Sequence, residues 1–236
     1  MASPKTIKPG DVPLPPLETG DHLTRDEFER RYGAMTHLRK AELIEGVVYV
    51  PSPVRLDQHS GPHADLITWL GVYRAATPGV RVAADSTVRL DLDNEPQPDG
   101  LLIIEPARGG RARISADDYI EGAPELVAEV AASTVSLDLN AKLRVYRRNG
   151  ACEYIVWRVL DRAIDWFILR QSQYERLPLT PDGVYQSEVF PGLWLDPAAL
   201  ARGDLARVLQ VLQQGLASPD HAAFVSKLQQ ALAPGP

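Results

Sequence analysis

Two carboxylates and a lysine lie at the margins of apolar runs between Gln97 and Gly150. Asp99 opens the strand-like run of QPDGLLIIE, Glu129 lies inside PELVAEVAA, and Lys142 sits in DLNAKLRVYRRNG. Charge at the edge of a buried segment is costly unless it is paired or used. Carboxylates at the ends of neighbouring strands suit a hard divalent cation, Mg²⁺ or Mn²⁺, bound by few protein ligands and several waters. Such an ion neutralises phosphate charge and makes a bound water nucleophilic. A lysine nearby orients that water or stabilises developing negative charge. The three residue types together suit metal-dependent phosphodiester hydrolysis, with Asp99 and Glu129 as metal ligands and Lys142 as the catalytic lysine.

Each residue also has a purely structural account. Asp99 in Pro-Asp-Gly is a turn residue. Lys142 follows Asp138 by four positions, so on a helix the two pair at the surface. Glu42 and Glu45 read as strand-edge and turn residues, His63 as a helix-start residue, and Arg144, Arg147 and Arg148 as a solvated helix face. Glu129 is the hardest to explain in this way, because Ala128 and Val130 flank it. The combination, more than any single residue, points to chemistry.

The elements that would position these residues follow from periodicity. Thr24 to Glu27 has capping-box spacing, which predicts a helix over about 25–32 with Gly33 as its stop. Glu45-Gly46 between two β-prone runs predicts a hairpin, closed by Pro51 and Pro53. His63, Leu66, Ile67 and Leu70 recur at helical spacing, so 62–76 is a helix, broken at Pro78-Gly79. Residues 80–92 form one or two strands, and 106–118 a Gly- and Arg-rich loop. A buried strand at PELVAEVAA is followed by a helix over Asp138–Arg148, ended by Gly150. CEYIVWRVL and RAIDWFILR pair across Asp161-Arg162. A short strand and turn follow, then a helix from Pro197 and a second, weaker helix after Ser218-Pro219. This order predicts a mixed α/β (α+β) domain around a central sheet. Residues 1–20, with little apolar content, read as a disordered arm. Residues 21–216 read as the domain and 217–236 as a C-terminal helical tail.

Composition sets outer limits. The 236 residues suffice for one generous domain, and the 44% apolar and 24% charged fractions are those of a soluble globular protein. No apolar run of about 18 residues predicts a membrane span, and the N-terminus lacks a secretory core, so a cytoplasmic setting is expected. A single cysteine, Cys152, excludes an internal disulfide and a multi-cysteine zinc site. The net charge of −6 argues against a broadly basic surface but allows a local patch at Arg144, Arg147 and Arg148.

The order of short motifs resembles a known family. Pro98-Asp99 before an apolar strand, and an apolar strand carrying Glu129, resemble the PD-(D/E)XK nuclease superfamily. More closely, the chain resembles the bacterial "putative restriction endonuclease" family known as the Uma-two family. The matching residues are Glu42-Leu43-Ile44-Glu45-Gly46, Ser52-Pro53, His63, Pro98-Asp99, Val127-Ala128-Glu129-Val130, Ser133-Thr134 and Asp138 to Lys142. Val145-Tyr146, Gly150, Glu153-Tyr154 and Phe190-Pro191-Gly192-Leu193-Trp194 follow in order, so the likeness spans about residues 22–200. Two departures stand out. Ala131 occupies the position of the superfamily's usual lysine, and the turn after the strand is shortened to Ala-Ser-Thr, one residue tighter than the family pattern.

The resemblance implies a restriction-endonuclease-like central mixed sheet flanked by helices, with Mg²⁺ (or Mn²⁺) on Asp99 and Glu129. Lys142 would be the catalytic lysine moved onto a helix, and Glu42 an additional acidic residue. His63 would contact phosphate or the groups around the site, and Arg144, Arg147 and Arg148 the nucleic-acid backbone. The expected partner is nucleic acid, with DNA as the first expectation. The alternatives are a catalytically inactive nucleic-acid-binding module on the same scaffold, or a partner-binding protein dimerising through its apolar C-terminal helix.

Overall fold

The structure is a computed structural model that describes residues 14–51 and 55–231. Residues 1–13 of the expected arm, the Ser52-Pro53 motif and the APGP end lie outside the described residues.

Helix α1 (Arg25–Ala34) starts where the Thr24 hydroxyl accepts the Glu27 N–H, and it buries Phe28. It runs through Gly33, the expected stop, because the chain leaves the helix only at Met35. Strands β1 (Glu42–Ile44) and β2 (Val47–Tyr49) form the hairpin. Glu45 and Gly46 both take positive φ, 53° and 74°, as a two-residue turn matched to strand twist requires. A π-helical turn, Leu56–Ser60, leads into α2 (Gly61–Ala76). Strands β3 (Val80–Ala83), β4 (Val88–Arg89) and β5 (Gly100–Ile104) follow.

The segment 106–118 is more than a loop. It holds a 3₁₀ turn, Pro106–Arg108, and a short strand β6 (Arg113–Ile114) that pairs with β7 (Ile120–Glu121). Strands of two residues are too short to produce an alternating pattern. Strand β8 (Leu126–Ala131) is buried throughout. Beyond it come α3 (Val135–Leu137), a second π-helical turn (Asp138–Lys142) and α4 (Leu143–Asn149), which Gly150 ends at φ 86°. Strands β9 (Glu153–Arg158) and β10 (Ala163–Arg170) form the expected hairpin. Where one strand was expected there are three: β11 (Gln173–Arg176), β12 (Tyr185–Gln186) and β13 (Trp194–Leu195). The helical segment from Pro197 divides into α5 (Pro197–Ala201) and α6 (Leu205–Leu216), because Gly203 takes φ 77° and Asp204 caps a new helix through the Arg207 N–H. Helix α7 (Pro219–Gln230) closes the described chain.

The central sheet has the order β11-β10-β9-β8-β5-β3. It is antiparallel except for the β8–β9 pair. Parallel neighbours need a long crossover, and here that crossover is the helical segment carrying Lys142. Alternate residues of β8 serve two cores. Leu126, Ala128 and Val130 pack with residues of α2, α5 and α6 such as Trp69, Leu200 and Leu212. Val127 and Ala131 face Tyr146 and Tyr154. Glu129 therefore points toward α4. A second, three-stranded sheet, β4-β7-β6, is not hydrogen-bonded to the first but packs on it, Val88 and Ile120 sharing a core with Leu101 and Ile103 of β5.

Candidate active site

The β5–β8 ladder pairs Gly100 with Ala128 and Leu101 with Val127. One step further sets Asp99 opposite Glu129, and directly opposed residues of antiparallel strands present their side chains on one face. Asp99 Oδ2 accepts the Val130 N–H at 2.7 Å, so the carboxylate extends the ladder just before strand β5 begins. Gly100 permits close packing here. A Cβ on it would stand 3.1 Å from Leu70 Cδ1 and 3.2 Å from Ile67 Cδ1 of α2.

Lys142 reaches this region. Its Nζ lies 2.9 Å from Glu42 Oε1, 3.1 Å from Glu129 Oε1 and 3.6 Å from Asp138 Oδ1, with the side chain only 4% exposed. The lysine is thus buried and shared among carboxylates, not a surface partner of Asp138 alone. The Tyr146 hydroxyl donates to Glu129 Oε1 at 3.0 Å. Glu42 Oε1 also accepts the Gln97 N–H at 2.7 Å, which ties β1 to the segment entering β5.

The electrostatics follow from one ammonium among three buried carboxylates. Burial, and then the neighbouring acids, hold Glu129 well above the usual carboxylate range, and Asp138 is raised by the same causes. Burial works against the Lys142 ammonium, but Glu129, Glu42 and Asp138 outweigh it and keep the lysine well above its ordinary value. Lys142 thus stays charged while Glu129 and Asp138 tend to hold their protons, since a single positive charge cannot compensate several buried negative ones.

Asp99 differs. Its burial would raise it, yet the His59 hydrogen bond, the Lys40 and His59 charges and the Val130 N–H together hold it below the usual range. Lys40 Nζ lies 3.2 Å from Asp99 Oδ1 and 3.0 Å from Asp85 Oδ1. His59 Nε2 lies 3.3 Å from Asp99 Oδ1, and His63 Nε2 stands 2.7 Å from the Asp99 carbonyl oxygen, to which it donates.

The structure therefore brings together Asp99, Glu129, Lys142, Glu42 and His63. It ties the three arginines elsewhere. Arg144 reaches Glu45 at 2.9 Å, Arg148 reaches Glu45 at 3.4 Å and Asp91 at 3.6 Å, and Arg147 donates to the Ser172 carbonyl. Three neighbours, Lys40, His59 and Asp85, carry no motif in the sequence, and a fourth, Tyr146, belongs to one without an assigned role. Lys40 lies two residues before Glu42, the spacing of one strand face. His59 lies four before His63, the spacing of one helix face. Tyr146 reads only as part of the Val145-Tyr146 motif, and Asp85 carries no local signal.

A cation fits this environment. His63, Asp85 and Asp99 each offer a ligand atom, all within 4.8 Å of one another, and this is the one such set of three among the described residues. The Lys40 ammonium already occupies a cation's place between the two aspartates. Glu129 lies on the inner side of Asp99, with one of its oxygens engaged by Lys142 and Tyr146.

Among curated proteins, none matches the chain. Among solved structures, one similar chain is described as "a putative nuclease belonging to DUF820 from Anabaena variabilis ATCC 29413". It superposes with a TM-score of 0.52 at 15% identity, covering 76% of this chain and 99% of that one, and so shares the fold. No helix among the described residues is long and apolar enough to cross a membrane. The Uma2 family model, described as "Putative restriction endonuclease", matches residues 25–198. That span contains Glu42, Asp99, Glu129 and Lys142 in one buried cluster, and the chain belongs to this family.

Proposed function

We propose that this protein is a metal-dependent endonuclease that hydrolyses phosphodiester bonds of DNA. The observation that carries this is the opposition of Asp99 and Glu129 across β5 and β8, with Lys142 on Glu129, in a chain of a family described as "Putative restriction endonuclease". Asp99, held ionised, and Glu129 from the opposed position would hold a divalent ion, Mg²⁺ or Mn²⁺. When bound, that ion supplies charge neutralisation at the phosphate and a more acidic water. The residues of the chain do the rest. The Val130 N–H fixes the rotamer of Asp99. Lys142 and Tyr146 hold Glu129 Oε1 in place, so the carboxylate loses little freedom when it binds. Glu42 anchors Lys142 from the other side and would assist through a water. His63 holds the Asp99 backbone and borders the phosphate position.

The test is cleavage of supercoiled plasmid with Mg²⁺ or Mn²⁺. Wild type should nick it, chelation should stop it, and Asp99→Asn and Glu129→Gln should each lose at least about 100-fold, the scale of a lost electrostatic group at a reacting centre. An inert wild type, or variants as active as wild type, would reject the assignment.

A second function has its own support. Lys142 has three carboxylate partners within 3.6 Å, so its ammonium is committed to protein groups and not to a reacting phosphate. A nucleic-acid-binding module without cleavage would look like this. Salt-dependent DNA binding with no metal-dependent nicking would identify it.

A further inference from the structure

The outward side of Asp99 carries an arrangement of which the proposed hydrolysis uses Asp99 and His63 but not Asp85, Lys40 or His59. Asp85 stands there with its side chain 51% exposed, facing the Lys40 ammonium, and His63 Nε2 lies 3.9 Å from its Oδ2. Asp85 takes φ 50°, a left-handed conformation that non-glycine residues adopt uncommonly and that aspartate tolerates better than most. Its N–H is pinned to the Pro98 carbonyl, one residue before Asp99, so the two aspartates are locked to the same stretch of backbone. His59 and His63 rise from consecutive helical turns with ring centroids 5.8 Å apart. Lys40, 24% exposed on a flexible stem, bridges the two carboxylates.

We propose that Asp85, Asp99 and His63 form a cation site of mixed oxygen and nitrogen donors, and that Lys40 fills it until a divalent ion displaces the ammonium. Imidazole beside carboxylates favours borderline ions such as Mn²⁺, Co²⁺ or Zn²⁺ over Mg²⁺, which prefers oxygen ligands and water. His63 would ligate through Nε2 with its proton moved to Nδ1, and it would release the Asp99 carbonyl as it turns. Lys40 has room to leave because its side chain is partly in solvent. This rests on the nuclease assignment only for its purpose, since the donors stand on geometry alone.

The experiment is calorimetric titration of Mn²⁺ and of Mg²⁺ into the full chain without nucleic acid. Lys40→Met should bind Mn²⁺ at least about tenfold more tightly than wild type, because the competing charge is gone, and Asp85→Asn at least about tenfold more weakly. Lys40→Arg should not tighten binding. Wild type should prefer Mn²⁺ to Mg²⁺. Asp85 is exposed, so its variant keeps the fold, and a thermal melt checks both substitutions. Equal Mn²⁺ affinity in Asp85→Asn and wild type overturns the site, as does a Lys40→Met that binds no more tightly. Plasmid nicking by the same preparations separates the two ideas. Loss of nicking with intact Mn²⁺ linkage rejects the nuclease and keeps the site. Nicking that depends on Glu129 while Asp85→Asn binds Mn²⁺ normally does the reverse.

Discussion

Lys142 and Tyr146 converge on one oxygen of Glu129, the ammonium at 3.1 Å and the phenol at 3.0 Å. They stand four residues apart, on opposite sides of the junction between the π-helical turn and α4. One short helical stretch thus supplies both the charge and the hydroxyl that orient a carboxylate on the adjoining strand. Tyr146→Phe keeps the ring in the core and removes only the hydrogen bond. It should lower stability by roughly 0.5–1.5 kcal/mol, the range for a hydrogen bond to a carboxyl that burial favours in its neutral form, read from urea denaturation. Its nicking activity should fall less than that of Lys142→Met.

Lys142→Met should be far more harmful. It leaves Glu42, Glu129 and Asp138 buried without their shared cation, and breaking such a cluster costs about 3–5 kcal/mol. The double variant Lys142→Met, Glu129→Gln should recover part of that loss. A denaturation cycle over the four proteins would show the coupling, and strict additivity would mean that the two groups do not interact.

Glu153 gives the fold a pH dependence away from the candidate site. Burial pushes its carboxyl up from 4.5 to about 7, against the Ser187 hydroxyl and the Val189 and Glu188 N–H groups that favour ionisation. The folded protein therefore keeps a proton that the unfolded chain releases. The stability this contributes is complete below about pH 4.5 and is lost as pH rises through about 7. Glu153→Gln, neutral throughout, should flatten the fall in stability across that window. The readout is the difference between the two proteins in melts at pH 4.5, 6 and 8. Parallel curves would contradict the shift.

Gly215 is where α6 meets the turn before β13. A Cβ there would run into the Gly192 carbonyl oxygen and stand 2.7 Å from Trp194 Cγ. Backbone and a half-buried ring cannot yield easily, so Gly215→Ala should lower stability by about 1–3 kcal/mol or more, as overpacking does. Gly203→Ala meets no neighbouring atom but forces an alanine to φ 77°, so it should cost less, through local strain alone. Melting both variants side by side separates contact from conformation.

Much of this arrangement is legible in the chain because it is local. Thr24 and Glu27, Glu45-Gly46 and Gly150 each dictate a cap or turn within a few residues, and β8 announces itself by an apolar run on both faces. Glu129 stands out because it interrupts that run. What could not be read is the set of contacts made by topology. Lys40 and Asp85 are 45 positions apart and meet at 3.0 Å only because β1 and the β3–β4 connection border the same strand end. The arginines of α4 read as a basic patch, yet Glu45 and Asp91 arrive from distant turns to bind Arg144 and Arg148. The 106–118 segment hid a strand because two residues carry no period.

The π-helical turn at Asp138–Lys142 has a consequence for how chain length is distributed. A π-turn closes i→i+5 and holds one residue more than the α-turn it replaces. The family resemblance leads to the expectation of one residue more than Ala132-Ser133-Thr134 ahead of this segment, and the π-turn holds an extra residue instead, with the Lys142 ammonium 3.1 Å from Glu129. The facing of Lys142 thus depends on the combined length of the turn and the π-turn. Lengthening the turn alone would rotate Lys142 away from the strand, whereas lengthening it while removing one residue from the π-turn would return it to the same place.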